Sequence, residues 1–572
     1  MNVILNQVNS DIRIASLAPK DTLLGKVLTL VGPLLDRLLG IRGMRRIYEE
    51  HNLAGLDPQS FAREVVKALE VDVVFDADSL QNIPQSGPVL VVCNHPFGGM
   101  EAVIIIQELL KARQDTKVLG NTALQVFQEL SDVMIFTNPL ISSQRNLPSL
   151  RQALNHLQND GLLLIFPAGR VSYYRKDLGR TCDHDWNRIV GHLLHKSDAA
   201  LVPCFVSGSN SKLFILMGYI WARLKILMLP REMLKMKGKK VAIQLGTATP
   251  GDLLQRTDIQ DATHLARLLT YLQNVDIQLP AAVTMPGDHA PLAASSDSQQ
   301  IEAEIAALPS DQTLINYKNF VVCYGSQAQL PATVHEIARQ RERVFRALDE
   351  GSGEPSDTDH FDALYVHLFV WDNKNSALLG AYRMGRADEL RRDGDVYLSQ
   401  SFEFKDEFFA EPSLELGRSF VTPEYQKNHV SLHLLWRGIG AYLRQHQQYR
   451  KLYGTVSLSR QFDLRSITAI CDALIKPSPL VRARHNLQAE LGPEWQDYKS
   501  HYPEVSIAQL SQIVQGIEPD NKDLPVLLRH YHKVGATFLA VSVDPNFNNT
   551  PGLLLVVDLD KVPEKKRQAY VA

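Results

Sequence analysis

Cysteine is scarce in this chain and unpatterned. Its 572 residues hold five, Cys93, Cys182, Cys204, Cys323 and Cys471. An odd, scattered set excludes a disulfide framework and fits a reducing compartment. Long apolar runs are lacking too: no segment is an uninterrupted apolar span of about twenty residues, so no membrane-crossing helix is expected. Met1 to Ile14 has no basic region followed by an apolar core, so no secretory signal is read there and a cytoplasmic protein is expected. Neither sign of charge is in excess. The 60 Lys and Arg against 63 Asp and Glu give a net charge of −3, so no nucleic-acid partner is expected and any electrostatic attraction has to be local. No internal repeat is found. What is present is apolar material, 45% of residues, ample for cores in the roughly two to four domains expected of this length.

The most informative stretch is Asn94-His95-Pro96-Phe97-Gly98-Gly99-Met100-Glu101. Val89 to Val92 before it reads as a buried strand, the glycine pair permits a sharp turn, and Glu101 begins an apolar-periodic helix to Arg113. His95 and Glu101 can then meet. A carboxylate bonded to an imidazole fixes its tautomer and stabilises its conjugate acid, and the other nitrogen can take a proton from an acceptor hydroxyl. The pair alone reads equally well as a turn histidine beside a helix-start glutamate. Two further apolar runs shift the balance: Gly161 to Phe166, ending in Phe166-Pro167-Ala168-Gly169-Arg170, and Ala199 to Val206, carrying Val202-Pro203. Each reads as a strand ending in a turn. Cys182-Asp183-His184-Asp185 reads as a solvated turn, because adjacent residues on one loop rarely close a tetrahedral metal site; no metal is expected.

On these blocks, about residues 70 to 250 resemble the glycerolipid acyltransferase superfamily. That family has a His-plus-acid block, an aromatic second block (here Val133-Met134-Ile135-Phe136-Thr137-Asn138), a Phe-Pro-x-Gly block and a Val-Pro block. The resemblance implies an O-acyltransferase in which His95 and Glu101 are catalytic and Phe166, Pro167, Gly169 and Arg170 meet the substrate. The chain departs from the pattern. Five residues separate His95 and Glu101 where the family has four, and the acid is glutamate; Asn138 stands where the phosphate-binding arginine falls, and Ala168 replaces a glutamate. Loss of that phosphate-matched fork points to a lipid hydroxyl other than glycerol phosphate, with Arg145 or Arg170 as available substitutes. Two segments suit a membrane surface. Thr22 to Tyr48 is leucine-rich with Arg37, Arg42, Arg45 and Arg46, and Lys212 to Lys240 is apolar from Leu213 to Leu229, apart from Arg223 and Lys225, and then basic. The pattern fits anionic headgroups; a buried helix with a basic flank produces it as well.

From Leu279 to Gln312 the composition turns to Pro, Ala, Ser, Asp and Gln, and 281–312 is expected to be a linker. The second half then begins with a strand from Phe320 to Tyr324. A helix from Thr333 to Glu350 bears Arg339 and Arg343 on one basic face, followed by strands over Ala363 to Val370 and Leu378 to Met384. A helix from Ser431 to Gln448 and a strand from Leu452 to Leu458 complete the unit. Gly438-Ile439-Gly440 falls inside that helix and reads as a close-packing site, not a dinucleotide fingerprint. Four segments, Glu415-Leu416-Gly417-Arg418-Ser419, Pro423-Glu424-Tyr425, Leu435-Trp436-Arg437-Gly438-Ile439 and Tyr453-Gly454-Thr455-Val456-Ser457, give about residues 315 to 500 a resemblance to the N-acyltransferase (GNAT) superfamily. The likeness is to its carrier-protein-dependent ornithine N-acyltransferases, which are related to acyl-homoserine-lactone synthases.

N-acylation needs an uncharged amine attacking a thioester, hence a carboxylate that orients the amine or takes its proton, and backbone donors for the oxyanion. Glu415 is the candidate carboxylate. Arg418, three positions on, falls on the opposite face of an ideal strand, so a shared site demands a bulge. Asp359 and Asp362 serve equally as cap residues or substrate contacts. After Phe420-Val421 the chain reads Pro423-Glu424-Tyr425-Gln426-Lys427-Asn428-His429, without the glycine-rich cradle of coenzyme A enzymes. This favours acyl carrier protein as donor over acyl-coenzyme A, with Arg339 and Arg343 for its acidic surface. The fusion resembles the bifunctional ornithine-lipid synthases of bacteria. That implies an α/β chain of two domains, a membrane-associated O-acyltransferase-like domain over 1–280 and a mixed α/β GNAT-like domain over 313–572. It further implies no cofactor beyond the acyl donor, ornithine as amino-acid substrate, and peripheral attachment to the inner face of the cytoplasmic membrane. The C-terminal domain would acylate the amine first and the N-terminal domain the 3-hydroxyl of the product, with fusion raising the local concentration of the intermediate. A lysophospholipid acyltransferase with a degenerate second domain and a noncatalytic lipid-binding protein are the alternatives.

Overall fold

A computed structural model describes residues 23–137, 146–176, 178–220, 227–283, 289–426 and 429–562. Met1 to Ile14, Asn138, Arg145, Arg223, Lys225, Lys427 and Asn428 lie outside the described residues. The chain forms two compact units. One runs from the start to Asp276 and takes in Leu491–Glu504 and Ser511–Lys522; the other holds Ile277–Glu490, Val505–Leu510 and the chain from Asp523.

In the first unit the apolar runs become strands because they are continuous rather than alternating, as strands buried on both faces must be. The strands are β1 (Asp72–Phe75), β2 (Val89–Cys93), β3 (Lys117–Asn121), β4 (Met134–Thr137), β5 (Leu162–Ile165), β6 (Tyr173–Arg175), β7 (Arg180–Cys182), β8 (Ala200–Val206) and β9 (Lys240–Leu245). Seven form one sheet in the order β1-β9-β8-β2-β5-β3-β4, and β6 and β7 form a separate hairpin. Within it β2 pairs in parallel with both β5 and β8, and β3 in parallel with β4 and β5. The carboxyl ends of β2, β5 and β8 therefore open on one edge, which is where open α/β sheets bind ligands. Every residue of β2 is buried. The helix Met100–Ala112 after it is buried along most of its length.

Two segments from late in the chain complete this unit. The helix Pro493–His501 packs on Ile259–Leu272. Beside it, Tyr502 donates its hydroxyl to Asp261 at 2.5 Å, and the same oxygen lies 3.0 Å from His264 Nδ1. Gly516 lies so close to Leu269 that a Cβ would meet its Cδ1 at 2.5 Å. Within the two segments read as suited to a membrane surface, Leu23–Leu38, Ile41–Glu50, Lys212–Ile220 and Leu229–Leu234 are helical. On Leu23–Leu38, Leu30, Leu34 and Leu38 stand at helical spacing and are exposed; Lys212–Ile220 exposes Leu213 and Leu216. Among the described residues no helix is long and apolar enough to cross a membrane.

The second unit is an eight-stranded sheet in the order β10-β11-β12-β13-β15-β16-β19-β18. Its strands are β10 (Thr313–Tyr317), β11 (Phe320–Ser326), β12 (Val366–Asp372), β13 (Ala377–Arg386), β15 (Ser413–Val421), β16 (Lys451–Ser457), β18 (Thr537–Asp544) and β19 (Thr550–Asp558), with β14 (Phe402–Phe404) and β17 (Val481–Ala483) paired apart. All neighbours are antiparallel except β15 and β16. The helices Pro331–Arg346 and His429–Gln445 pack against the sheet. Gly438 lets the latter approach, since a Cβ there would meet Val322 at 2.6 Å. From residue 289 on, the stretch read as a linker is built into this unit. Asp297 caps the helix Ser298–Ala306, whose Ile301 is buried, and Glu304 accepts the backbone N–H groups of Ala332 and Thr333 at 2.8 and 2.9 Å. One acid thus caps a neighbouring helix, and an apolar residue every few positions suffices to anchor a polar segment.

Candidate active sites

His95 is the second residue beyond β2, and Glu101 lies in the first turn of the next helix, so the two are brought together across Gly98-Gly99. His95 Nδ1 stands 2.9 Å from Glu101 Oε1, with the histidine side chain 19% exposed and the glutamate 0%. The longer loop is closed by the acid itself. Glu101 accepts the N–H groups of Phe97, Gly98 and Gly99 at 3.0, 2.9 and 2.9 Å, so one carboxylate orients the imidazole and caps the helix. Burial raises its pKa, but His95 and these amides outweigh burial and hold the carboxyl below its ordinary value. Gly98 has φ +89, and a Cβ there would meet Leu229 and Val171 at 2.6 Å, which makes glycine obligatory on both counts.

The Phe-Pro-x-Gly block sits at the end of β5, beside β2. The Phe166 ring lies 4.7 Å from that of His95. Gly169, at φ +61, closes a turn by donating to the Phe166 carbonyl at 3.0 Å. Pro167 is buried and its carbonyl accepts from Asn187, whereas Arg170 is exposed.

Three further residues hold the motif, a role the sequence reading assigned to none of them. Asn94 exchanges two hydrogen bonds with Val206 at the end of β8, donating at 2.9 Å and accepting at 2.7 Å. Asn210 donates to the carbonyls of Pro96 and Phe97. Asp183 overturns its reading as part of a solvated turn: it is 1% exposed. It accepts from the His95 N–H at 3.1 Å, Ser172 Oγ at 2.6 Å and Trp186 Nε1 at 3.0 Å, so its partners rather than solvent satisfy it. A cavity of about 220 Å³ adjoins the motif, lined by polar groups that include Asn94, Ser172, Arg180, Ser207 and Tyr271. No cluster able to hold a metal occurs among the described residues.

In the second unit the irregularity demanded for Glu415 and Arg418 is present. The register of β13 on β15 shifts between Ala381–Phe420 and Arg383–Gly417, and Arg418 takes φ +49, a left-handed conformation that costs a non-glycine residue about 1–2 kcal/mol. The bulge brings Arg418 to Tyr397 and Asp357, and Arg383, whose charge acts on Glu415, also lies over the Tyr397 ring. Arg418 donates to Tyr397 Oη at 3.1 Å and lies 3.5 Å from Asp357 and 3.9 Å from Asp359. Glu415 is 1% exposed. Burial pushes its carboxyl up to about 7, against the Arg383 charge and hydrogen bonds from the Leu398 N–H, Tyr365 and Tyr453.

Asp359 and Asp362 turn out to be cap residues and ion-pair partners at once. They form a reciprocal capping box at His360–Ala363. Arg383 pairs with Asp359 at 2.6 Å and Asp362 at 3.2 Å, and Arg341 pairs with Asp357 at 2.7 Å and Asp362 at 3.1 Å. Arg339 and Arg343 are not an open basic face, because Arg339 is bidentate to Glu336 and Arg343 is bonded to Glu424 at 2.7 Å. Arg341 between them falls about 200° around the helix from either, at about 100° per residue, and is buried.

The strands also separate at this site. The β15–β16 ladder ends at Leu416–Gly454, while β13 follows β15 to Val421 and β19 follows β16 to Ser457. The backbone of Gly417 to Ser419 thus faces an opening rather than a strand on the β16 side, and a Cβ on Gly417 would meet nothing within 4 Å.

The sequence matches two family models, one described as an acyltransferase over residues 39–279 and one as an acetyltransferase (GNAT) domain over residues 340–437. The chain is therefore mixed α/β with an N-terminal acyltransferase domain and a C-terminal GNAT domain. Among named proteins, it is 33% identical over 178 residues to a glycine N(alpha)-acyltransferase of Bacteroides thetaiotaomicron, covering 28% of this chain and 53% of that one. It is 37% identical over 138 residues to the glycine N(alpha)-acyltransferase of Phocaeicola vulgatus, covering 21% and 41%. A lyso-glycine lipid O-acyltransferase of Phocaeicola vulgatus is 27% identical over 194 residues, covering 33% and 68%. The chain spans about half the length of the glycine N(alpha)-acyltransferases it matches.

Proposed function

We propose that this chain is a bifunctional acyltransferase of aminolipid synthesis. Its GNAT unit acylates the amine of an amino acid, and its N-terminal unit acylates the hydroxyl of the resulting lyso-lipid. The observation that carries the reading is the presence in one chain of a His95–Glu101 pair with a buried carboxylate at the open edge of a parallel sheet and a split β15–β16 pair beside Glu415 and Arg418. In the first unit, His95 takes the acceptor hydroxyl's proton and Glu101 stabilises the imidazolium that forms. Phe166 packs on the ring, and the polar-lined cavity and exposed Arg170 suit a headgroup. In the second, the thioester arm of the donor enters between the separating strands, where backbone N–H groups of the bulge can hold the oxyanion. Glu415 takes a proton from the attacking nitrogen.

Acyl carrier protein is the proposed donor. The turn after β15 is Pro423–Tyr425 and carries no glycine, which supports a donor with one phosphodiester rather than a pyrophosphate. Its docking on Arg339 and Arg343 would have to compete with Glu336 and Glu424. Ornithine is the proposed acceptor; relatives named for glycine favour glycine as a second reading. The exposed Leu30, Leu34 and Leu38 with Arg42 and Arg46 support peripheral attachment to the inner face of the cytoplasmic membrane.

The test is mass spectrometry of lipids from a host that makes no aminolipid, expressing the chain with labelled ornithine or labelled glycine. A labelled diacylated lipid is expected and identifies the amino acid. Phospholipid made without any labelled amino acid would instead favour a lysophospholipid acyltransferase. A second expectation concerns Asp183. Asp183→Asn presents an amide N–H to a donor and disturbs the His95 backbone anchor, so acylation of a supplied lyso-aminolipid should fall about 10²-fold, with N-acylation unchanged in a thioester assay.

A further inference from the structure

One buried carboxylate near the split strands belongs to no ion pair among the described residues. Glu350 follows the helix Pro331–Arg346, is 2% exposed, and accepts a hydrogen bond from Ser457 Oγ at 3.1 Å. Ser457 is the last residue of β16, beyond the point at which that strand leaves β15. The loop is firmly held. The Glu350 N–H donates to Phe345, Ser459 Oγ to the Leu348 carbonyl at 2.9 Å, Gln461 to Ala347 at 3.0 Å and Asn548 to Asp349 at 2.9 Å. Such placement costs free energy that a core residue has no reason to bear.

The groups facing it are few. Burial, helped by Asp349 on its own loop, pushes the carboxyl up to about 8, against Ser457 from β16 and Arg418 from the bulge of β15, which lower it. Glu342 on the helix behind is taken up by Arg346 at 2.7 Å and by Ser352. Glu415 is enclosed by Tyr365, Tyr453 and the Leu398 N–H, whereas Glu350 lies toward the end of β16 where the strands have parted.

We propose that Glu350 receives the ammonium of the amino-acid acceptor and takes its first proton. The assignment rests on the N-acylation reading of this unit. Two protons leave the nitrogen in that reaction. The ammonium gives one to Glu350 and becomes a nucleophile; the amine then attacks the thioester carbonyl, forming the C–N bond. The second proton passes to Glu415 as the C–S bond breaks, and the departing thiolate is protonated. Amide and thiol are formed, and one proton is released to solvent.

The test is the pH dependence of N-acyl transfer by the full chain, with a 3-hydroxyacyl thioester of acyl carrier protein and the amino acid that labels in cells. The parent rate should rise with pH through a limb near 8. Glu350→Gln should lower the rate at pH 7 by about 10²-fold, and the deficit should shrink toward pH 9.5 as the free amine forms unaided. Ser457→Ala, which removes the bond holding the pKa down, should move the limb to higher pH, and Glu350→Asp should restore part of the rate. Should Glu350→Gln fail to fold, Ser457→Ala carries the same decision through its limb. An unchanged pH profile in Ser457→Ala together with a pH-independent deficit, or no deficit, in Glu350→Gln overturns the assignment while leaving N-acylation intact. No N-acyl product from the parent chain with any amino acid removes the reading beneath it instead.

Discussion

His95→Ala is expected to abolish the second acylation, by about 10⁴-fold or more, and to let the mono-acylated lipid accumulate. The side chain can be removed without dismantling its turn. His95 is fixed through its backbone, donating to Asp183 and accepting from the Ser172 N–H at 2.9 Å, and both bonds survive in alanine. Glu101 keeps its three amide donors. Glu101→Gln is the more damaging change to the turn, because half of an amide cannot accept from N–H groups. A glutamate held below its ordinary pKa also contributes stability that is present above the unfolded value of about 4.3 and lost as pH falls through the lower folded value. His95→Ala retains the amide part of that contribution and loses the imidazole part. Lipid mass spectrometry distinguishes the outcomes: accumulation of the lyso-lipid supports the division of labour, and equal loss of both products contradicts it.

Much of the architecture was legible because it rests on local patterns. Continuous apolar runs marked β2, β5 and β8, and their chemistry-bearing turns followed directly. The His95–Glu101 pair was legible because both residues lie in one strand–turn–helix. Arg418 could be judged only conditionally, since alternation assigns it to the wrong face unless a bulge intervenes, and a one-residue irregularity leaves no periodic trace. Asp183 was misread because its partner, the His95 N–H, is 88 residues away; four polar residues in a row look solvated until such a partner is known. The return of Leu491–Glu504 to the first unit is a long-range event of the same kind. One signal was available and unused. Arg383 interrupts the apolar strand Leu378 to Met384, and a charge in a buried strand demands a carboxylate partner, which would have singled out Asp359 and Asp362 together. Arg341 was obscured by Arg339 and Arg343, whose i,i+4 spacing draws attention to the opposite face of the helix.

Arg341→Met is expected to destabilise the second unit by about 3–5 kcal/mol. Arg341 is 1% exposed and joins Asp357 to Asp362, which in turn fixes Arg383 and so the surroundings of Glu415. Methionine fills similar volume without charge, and two carboxylates are left with fewer cations. In the parent protein, burial raises the pKa of Asp357 and Asp362, but the neighbouring arginines outweigh it and hold both below the ordinary carboxylate range. Their contribution to stability is therefore complete above the unfolded value of about 3.9 and disappears as pH falls through the depressed folded values. In the variant Asp357 keeps Arg418 and Asp362 keeps Arg383, but less charge opposes burial. The folded pKa values therefore rise, and the penalty is largest near neutral pH and diminishes on acidification as the carboxylates take up protons. Denaturant unfolding at pH 7 and pH 5 measures this directly. A cost that shrinks at the lower pH supports the ion-pair account, whereas a cost independent of pH would assign the loss to packing and leave the charge cluster without an energetic role.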